Sequence, residues 1–414
     1  MRLMAAKTIN INSFTGMSNL DPDEGLFVKK GVVRPRIILN ADVTVKGRLK
    51  KRDGQVKKVS LIDGHSMWAG YHAHLVMDGV TLKRVSGNTA TEIGSVGMVK
   101  SPVSYAEVGN FIYVSNKYYN GIFNPDSDTL SSWGITLPNG PVLSATNGTL
   151  PAGTYEVCFT RVSGLNISGN GPVSIITLNS EGGIVISNRP VDAIVWCTER
   201  NDSVFQRIGA VDIIVNIPEV EPLPSLFCNP PPYIEHLTHA FGRMWGARGR
   251  FLHYSEALHL DWWKYKFEFA TDIGMVAKVK SGLFVGCDDR TYFMQGTDPE
   301  QMEQIDVGAG AVPWSLCYGY SIKELGDTIS PAEKVHNSVP GWVSKEGVVL
   351  GNAVGRVFNL SKKSVKFSPG AIGASLYRNK NGQFQFLASF KQGTSGMGLG
   401  DTVVAEVVRN GVVM

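Results

Sequence analysis

Val276-Ala-Lys-Val-Lys-Ser-Gly-Leu-Phe-Val-Gly286 reads as a short apolar strand, a Ser-Gly break and a second apolar strand, and the phrase returns as Gly341-Trp-Val-Ser-Lys-Glu-Gly-Val-Val-Leu-Gly351. Weaker copies are His239-Ala-Phe-Gly-Arg-Met-Trp-Gly246, Ser375-Leu-Tyr-Arg-Asn-Lys-Asn-Gly-Gln-Phe-Gln-Phe386 and Val403-Val-Ala-Glu-Val-Val-Arg-Asn-Gly-Val-Val413. Copies recur at roughly 30 to 65 residues, a spacing that overlaps the length of a four-stranded propeller blade. Outward from these phrases, apolar residues recur at every second position and then meet Gly, Asn, Asp or Pro, which is strand rather than helix periodicity. Val59-Ser-Leu-Ile-Asp-Gly-His-Ser-Met-Trp68, His72-Ala-His-Leu-Val-Met77 and Val103-Ser-Tyr-Ala-Glu-Val-Gly-Asn-Phe-Ile-Tyr-Val114 read as strand pairs broken by Asp-Gly or Gly-Asn. Those dipeptides supply the positive φ that tight hairpins require.

The fold class expected is therefore all-β, with a β-propeller-like body of six to eight blades centred on seven. Each blade buries its faces against its neighbours, and closing the ring protects edges that would otherwise pair with other chains. Residues 139–218 interrupt the pattern. Leu150-Pro-Ala-Gly-Thr-Tyr-Glu-Val-Cys-Phe-Thr160 alternates with Tyr155, Val157 and Phe159 on one face, and four further short apolar runs follow to Ile208. About seven short strands in so few residues fit an inserted immunoglobulin- or fibronectin-III-like sandwich. The expected division is residues 1–138 and 219–414 for the two parts of the propeller, with residues 139–218 as the insert. Pro218, Pro222, Pro224 and Pro230-Pro231-Pro232 suggest a stiff connector back to the body.

With 414 residues the chain exceeds one ordinary core, and 43% hydrophobic against 18% charged residues makes it globular rather than disordered. The net charge of +4 is too small to argue for nucleic acid, although Lys46, Arg48, Lys50, Lys51, Arg52, Lys57 and Lys58 crowd one stretch. Five cysteines without a CxxC pair point to free thiols. Cys158 and Cys197 invite an intersheet bridge, but Cys158 is out of phase with Tyr155, Val157 and Phe159. Neither a signal-peptide core nor an apolar run of about 18 residues is present.

Leu226 to Leu360 resembles the tail-hub or nozzle proteins of short-tailed bacteriophages, also known as phage stabilisation proteins. The phrases that carry the resemblance are Gly242-Arg-Met-Trp-Gly246 with Leu252-His-Tyr-Ser-Glu-Ala257, and Gly282-Leu-Phe-Val-Gly286 with Thr291-Tyr-Phe-Met-Gln-Gly-Thr-Asp-Pro299. Trp342 to Gly351, Phe14-Thr-Gly-Met-Ser-Asn-Leu20 and Gly47-Arg-Leu-Lys-Lys-Arg-Asp-Gly54 extend it, as does LPAGTYEV at the start of the insert. The resemblance implies a structural virion protein assembled in the host cytoplasm as a homo-oligomeric ring, commonly a hexamer. It would dock below the portal and adaptor, touch a tail fibre, spike or needle, and pass genome DNA through its lumen during ejection. No catalytic residue, cofactor or metal carries over, and no enzymatic activity is expected.

Individual residues add narrower expectations. His72 and His74, with His65 nearby, could share a metal, but no third ligand sits at matching spacing. Asp288, Asp289, Asp298 and Glu300 could furnish the paired acids of a glycosidase, while turn capping is the simpler role. Leu258 to Phe269 interleaves aromatics and lysines. Trp262, Trp263 and Tyr265 are accordingly expected at a subunit or partner contact, with stacking on bases or sugars as the alternative. Lys50, Lys51 and Arg52 are expected to face another protein or the outer surface, because a DNA-conducting lumen should avoid strong phosphate attraction. The rival functional reading is a carbohydrate-binding or glycan-cleaving tail protein.

Overall fold

The computed structural model describes residues 13–14, 27–28, 32–33, 41–43, 48–51, 57–218, 221–319, 339–362, 370–380, 383–391, 407–409 and 412–413. Six four-stranded sheets dominate these residues, and within each the strands pair in chain order, as in a propeller blade. The first sheet holds Gly64–Ala69, His74–Asp78, Thr81–Ser86 and Thr89–Ser95; the second holds Ser104–Val108, Phe111–Asn116, Tyr119–Asn124 and Thr129–Ser132. The third holds Glu235–Ala240, Arg243–Arg248, Phe251–Glu256 and His259–Glu268. The fourth holds Ile273–Val279, Gly282–Cys287, Arg290–Gln295 and Glu303–Ala309. The fifth holds Cys317–Gly319, Val339–Ser344, Gly347–Gly351 and Val357–Asn359. The sixth is built on the long hairpin of Ile372–Lys380 and Gln383–Lys391, followed by Val407–Arg409 and Val412–Val413. The fold is all-β, assembled from antiparallel sheets of the blade type.

Two compact units divide the chain, one of residues 59–248 with 252–267, the other of the remainder. In the first unit, Leu75, Met77 and Leu82 of the first sheet share a buried cluster with Tyr105, Ile112, Val114 and Phe123 of the second. Ala106 and Trp133 then pack with Ile234, Leu237, Met244 and Trp263 of the third sheet and the turn before it. In the other unit, Phe284 and Phe293 of the fourth sheet meet Trp342 and Val349 of the fifth. Val343 and Val348 of the fifth meet Phe386 and Ala388 of the sixth. Burial of each such side chain contributes about 1.5–3 kcal/mol, so stacking successive sheets is what makes four-stranded pieces stable. Among the described residues no helix is long and apolar enough to cross a membrane.

The Gly-Asn turn read from the sequence holds at Gly109, whose φ of 58° lies in the left-handed region, and Gly79 turns likewise at 62°. In the copies around Gly242 and Gly347 the glycine also has a positive φ, 69° and 137°, but in Val276–Gly286 it has a different purpose. Gly282 lies inside the strand pairing, where a Cβ would come within 2.1 Å of the Met294 carbonyl oxygen, so close backbone approach rather than a turn demands it. Asp63-Gly64 likewise makes no hairpin: Gly64 opens a strand, and the N–H groups of Ile62 and Asp63 donate to the Asp78 carboxylate.

The strands between residues 143 and 214 form two sheets of their own. One pairs Leu143–Leu150, Gly182–Ile186 and Ile213–Ile214; the other centres on Gly153–Ser163, flanked by Asn166–Ile167, Ser174–Leu178 and Ala193–Thr198, with Phe205–Gly209 outermost. Tyr155, Val157 and Phe159 fill one core with Ile184, Ile186, Val195 and Ile214 from both sheets. The Tyr155 hydroxyl donates to the Pro151 carbonyl at 2.8 Å, tying the strand to the turn before it. The strand register places Val157 opposite Cys197 and Cys158 opposite Trp196, so the two cysteines point to opposite faces of one sheet. Cys197 joins the intersheet core and Cys158 the outer cluster with Trp196, Phe205 and Leu223, a geometry that cannot hold the bridge their spacing invites. The proline-rich segment is a packed strap. Leu223 donates to Phe205 and Arg207 to Glu221, which binds it along the outermost strand of the sandwich.

Candidate functional site

Three places bring together side chains that could do chemistry or recognise a partner. The first is a shallow cleft of about 300 Å³ lined by residues 71–74 and 84–87. Both histidines flagged in the sequence border it, but they are differently engaged. His72 places Nδ1 2.6 Å from Glu107 Oε1, while His74 is exposed. Glu107 lies on the second sheet and also accepts the backbone N–H groups of Tyr71 at 2.8 Å and His72 at 2.9 Å. Burial pushes the Glu107 carboxyl up, but the two backbone donors and the His72 ring outweigh it and hold the group below the usual carboxylate range. His65 is turned to another use, with Nε2 2.7 Å from the Gly79 carbonyl and Nδ1 2.9 Å from Ser66 Oγ. Among the described residues no group of three or more His, Cys, Asp or Glu is arranged to hold a metal. The His72–Glu107 pair is a clasp between the first and second sheets.

The acidic residues of the fourth sheet are engaged locally. Thr271 Oγ1 donates to Asp289 Oδ1 at 2.5 Å, and this bond is the main reason the Asp289 carboxyl lies below its ordinary value. Asp298 caps a short turn by accepting the Glu300 N–H at 3.2 Å. Both are turn-stabilising roles of the kind Asp adopts by hydrogen-bonding nearby backbone and hydroxyl groups.

The third place is the strand His259–Glu268, the outer strand of the third sheet. Its two tryptophans, expected at a subunit contact or as a stacking platform, are inside the chain instead. Trp263 is 3% exposed, packs edge-on against Trp133 with ring centroids 5.6 Å apart, and donates Nε1–H to the Leu260 carbonyl. Trp262 stacks on His259 and donates Nε1–H to the Ile167 carbonyl of the sandwich at 2.8 Å. Their indoles are engaged within the chain, that of Trp263 between the second and third sheets and that of Trp262 against the sandwich. Tyr265 differs: it is 41% exposed and stacks on Tyr254 at 5.8 Å.

Beside Tyr265 lies a residue that sequence reading passed over. Phe227 is 60% exposed and has φ 62°, a left-handed conformation that is an outlier for a bulky side chain. The Lys264 ammonium sits 5.8 Å from the Phe227 ring centroid and 5.3 Å from that of Tyr265. No spacing or motif marks a lone Phe as strained, so only three-dimensional context exposes it. In the basic stretch, Lys50 and Lys51 are exposed on Leu49–Lys51, with Asp42 opposite Lys50 in the neighbouring strand; Arg52 lies outside the described residues.

No known protein family and no curated protein matches the chain. Solved structures similar to it include BBS1N in complex with ARL6DN, at 10% identity and TM-score 0.31, covering 81% of this chain and 92% of that one. A chain of the Mitotic Checkpoint Complex is similar at 9% identity and TM-score 0.35, covering 86% and 95%. The computationally designed Ika8 protein is similar at 10% identity and TM-score 0.25, covering 86% and 98%.

Proposed function

We propose that the chain is a structural subunit of a phage-type tail. The six blade sheets among the described residues belong to a propeller-like body, the sandwich between the second and third sheets is an immunoglobulin-like insert, and identical subunits assemble into a ring, taken as a hexamer. The ring docks below a portal and adaptor and lets DNA pass. The observation that supports this reading is the sheet organisation: among the described residues, successive four-stranded sheets, each paired in chain order, are interrupted by a self-contained sandwich where the strand pattern of the sequence breaks. Two of the four acids weighed for the glycosidase reading, Asp289 and Asp298, accept hydrogen bonds from the Thr271 hydroxyl and the Glu300 N–H.

A glycan-binding or glycan-cleaving tail protein is the second reading, and the exposed rings of Phe227 and Tyr265 are what favour it. The Lys264 ammonium lies against both rings, where a sugar would otherwise stack. The deciding experiment mixes the purified protein with an assembled portal–adaptor complex and follows it by sedimentation velocity and negative-stain microscopy. Co-sedimentation with a ring of added density below the adaptor supports the tail reading. Failure to co-sediment, together with specific retention on a host-polysaccharide array, replaces it with the second.

A further inference from the structure

Asparagine is a thermolabile residue, most of all before glycine, where the following nitrogen reaches the side-chain carbon unhindered by a Cβ. Four Asn-Gly dipeptides lie among the described residues: Asn120-Gly121, Asn139-Gly140, Asn147-Gly148 and Asn170-Gly171. In a folded chain the reaction needs an amide free to turn and a glycine N–H free of hydrogen bonds.

Three of these sites are held. Asn120 donates Nδ2–H to the Pro231 carbonyl at 2.7 Å, and Gly121 is paired on both sides, with Val114 and with Ser132. Asn170 is buried, its Oδ1 accepts the Phe227 N–H at 2.6 Å, and the Gly171 N–H donates to the Phe159 carbonyl at 2.9 Å. Asn147 is exposed on the strand Leu143–Leu150, but Gly148 is wedged. A Cβ there would lie 2.6 Å from the Gly182 carbonyl oxygen and 2.7 Å from the Gly183 nitrogen.

Asn139 differs on both counts. It is exposed in the segment by which the chain enters the sandwich, and among the described residues neither its side chain nor the Gly140 N–H makes a hydrogen bond. Gly140 is fitted more loosely than Gly148, since a Cβ would lie 3.0 Å from its nearest neighbour, the Pro172 carbonyl oxygen. The chain just beyond is anchored. Asn188 Nδ2–H donates to the Gly140 carbonyl at 2.9 Å, Asn188 Oδ1 accepts the Val142 N–H at 2.7 Å, and the Ser174 hydroxyl donates to the Pro141 carbonyl at 2.5 Å. These bonds hold Gly140 by its carbonyl and leave its nitrogen open.

We propose that Asn139 is a self-modifying site, converting to isoaspartate with water as co-reactant and loosening the root of the sandwich as the protein ages. Hydroxide takes the Gly140 amide proton, and the nitrogen bonds to Asn139 Cγ. The Cγ–amide bond breaks, and the amide leaves as ammonia after taking a proton from solvent. Water then opens the cyclic imide. Cleavage between the Asn139 main-chain carbonyl carbon and the Gly140 nitrogen frees an α-carboxylate and routes the main chain through the side chain, a methylene longer. Cleavage at Cγ gives ordinary aspartate. Both products place a new negative charge immediately before the Asn188 and Ser174 anchors, and the longer main chain displaces Gly140 from them. This site is independent of the ring reading.

The test ages the full chain in heavy-oxygen water at pH 8 and maps it by mass spectrometry with electron-transfer fragmentation, which separates isoaspartate from aspartate. Asn139 should take up heavy oxygen at least about tenfold faster than Asn120 and Asn170, whose reaction waits for local opening. Its rate should rise in proportion to hydroxide, and in urea the four sites should converge. Asn139→Gln should stay unmodified at that position and keep the fold, because the replaced amide bonds nothing among the described residues. The Val142 N–H should exchange with solvent about threefold faster or more in converted protein than in Asn139→Gln aged alongside. Conversion of Asn139 no faster than that of Asn170 in the folded chain overturns the proposal, as does conversion in urea alone. Equal exchange at Val142 in the converted and Gln proteins overturns the loosening.

Discussion

Replacing Glu107 with Gln isolates the clasp between the first two sheets. One carboxylate accepts three donors: Tyr71 N–H at 2.8 Å, His72 N–H at 2.9 Å and the His72 ring at 2.6 Å. An amide keeps one acceptor oxygen and presents an NH₂ group where a donor already points, so at least one bond is lost and a half-buried N–H faces a like group. Hydrogen bonds to a charged acceptor contribute about 1.5–3 kcal/mol net, and the exposure of the site keeps the expected loss near the lower half of that range, about 2 kcal/mol. Gly70 leaves little room for the loop to adjust, since a Cβ there would lie 2.0 Å from the Trp68 ring and 2.8 Å from Glu107 Oε2. The sign with pH follows from the depressed carboxyl. Its contribution is fully present above the ordinary value of 4.5 and disappears as pH falls through the lower folded value. Urea unfolding of the wild type and Glu107→Gln should therefore differ by about 2 kcal/mol at pH 7 and converge near pH 3. A gap below about 0.5 kcal/mol at pH 7, or one of equal size at both pH values, refutes the clasp.

Further expectations concern the core and the thiols. Trp263→Ala should cost about 3–5 kcal/mol of stability, read by calorimetry, with no change in the oligomeric state of the folded fraction; the reverse pattern would return Trp263 to a subunit contact. Tyr155→Phe removes the bond to the Pro151 carbonyl and should cost about 1 kcal/mol in urea unfolding, whereas no change would show the hydroxyl to be idle. Burial pushes the thiols up, to about 11 for Cys228 and about 12 for Cys197, Cys287 and Cys317, so a maleimide probe at pH 7 should label the native protein slowly and all five cysteines after unfolding. Recovery of a Cys158–Cys197 disulfide from native protein would contradict the opposed faces of their strand.

Much of the architecture was legible because strand alternation and hairpin glycines are local. Gly109 turns where its dipeptide says it should, and Tyr155, Val157 and Phe159 share the core that their spacing assigns. Gly282 misled for a physical reason: a glycine needed for close backbone approach and one needed for positive φ look alike in sequence. The burial of Trp262 and Trp263 was not legible because an aromatic pair has the same composition whether it packs inside the chain or covers a surface. The Glu107 clasp spans 35 residues of chain from His72, and the Phe227 strain depends on Asn170, a residue of the inserted sandwich, 57 positions away. Neither leaves a periodic mark.

Electron microscopy of the purified protein at high concentration would reveal whether its copies close into a ring. Class averages should show a closed annulus of six copies around an open channel, each copy a toroid of blades with a small sandwich projecting from it. Monomeric particles alone, or copies joined in open chains without a channel, would contradict it.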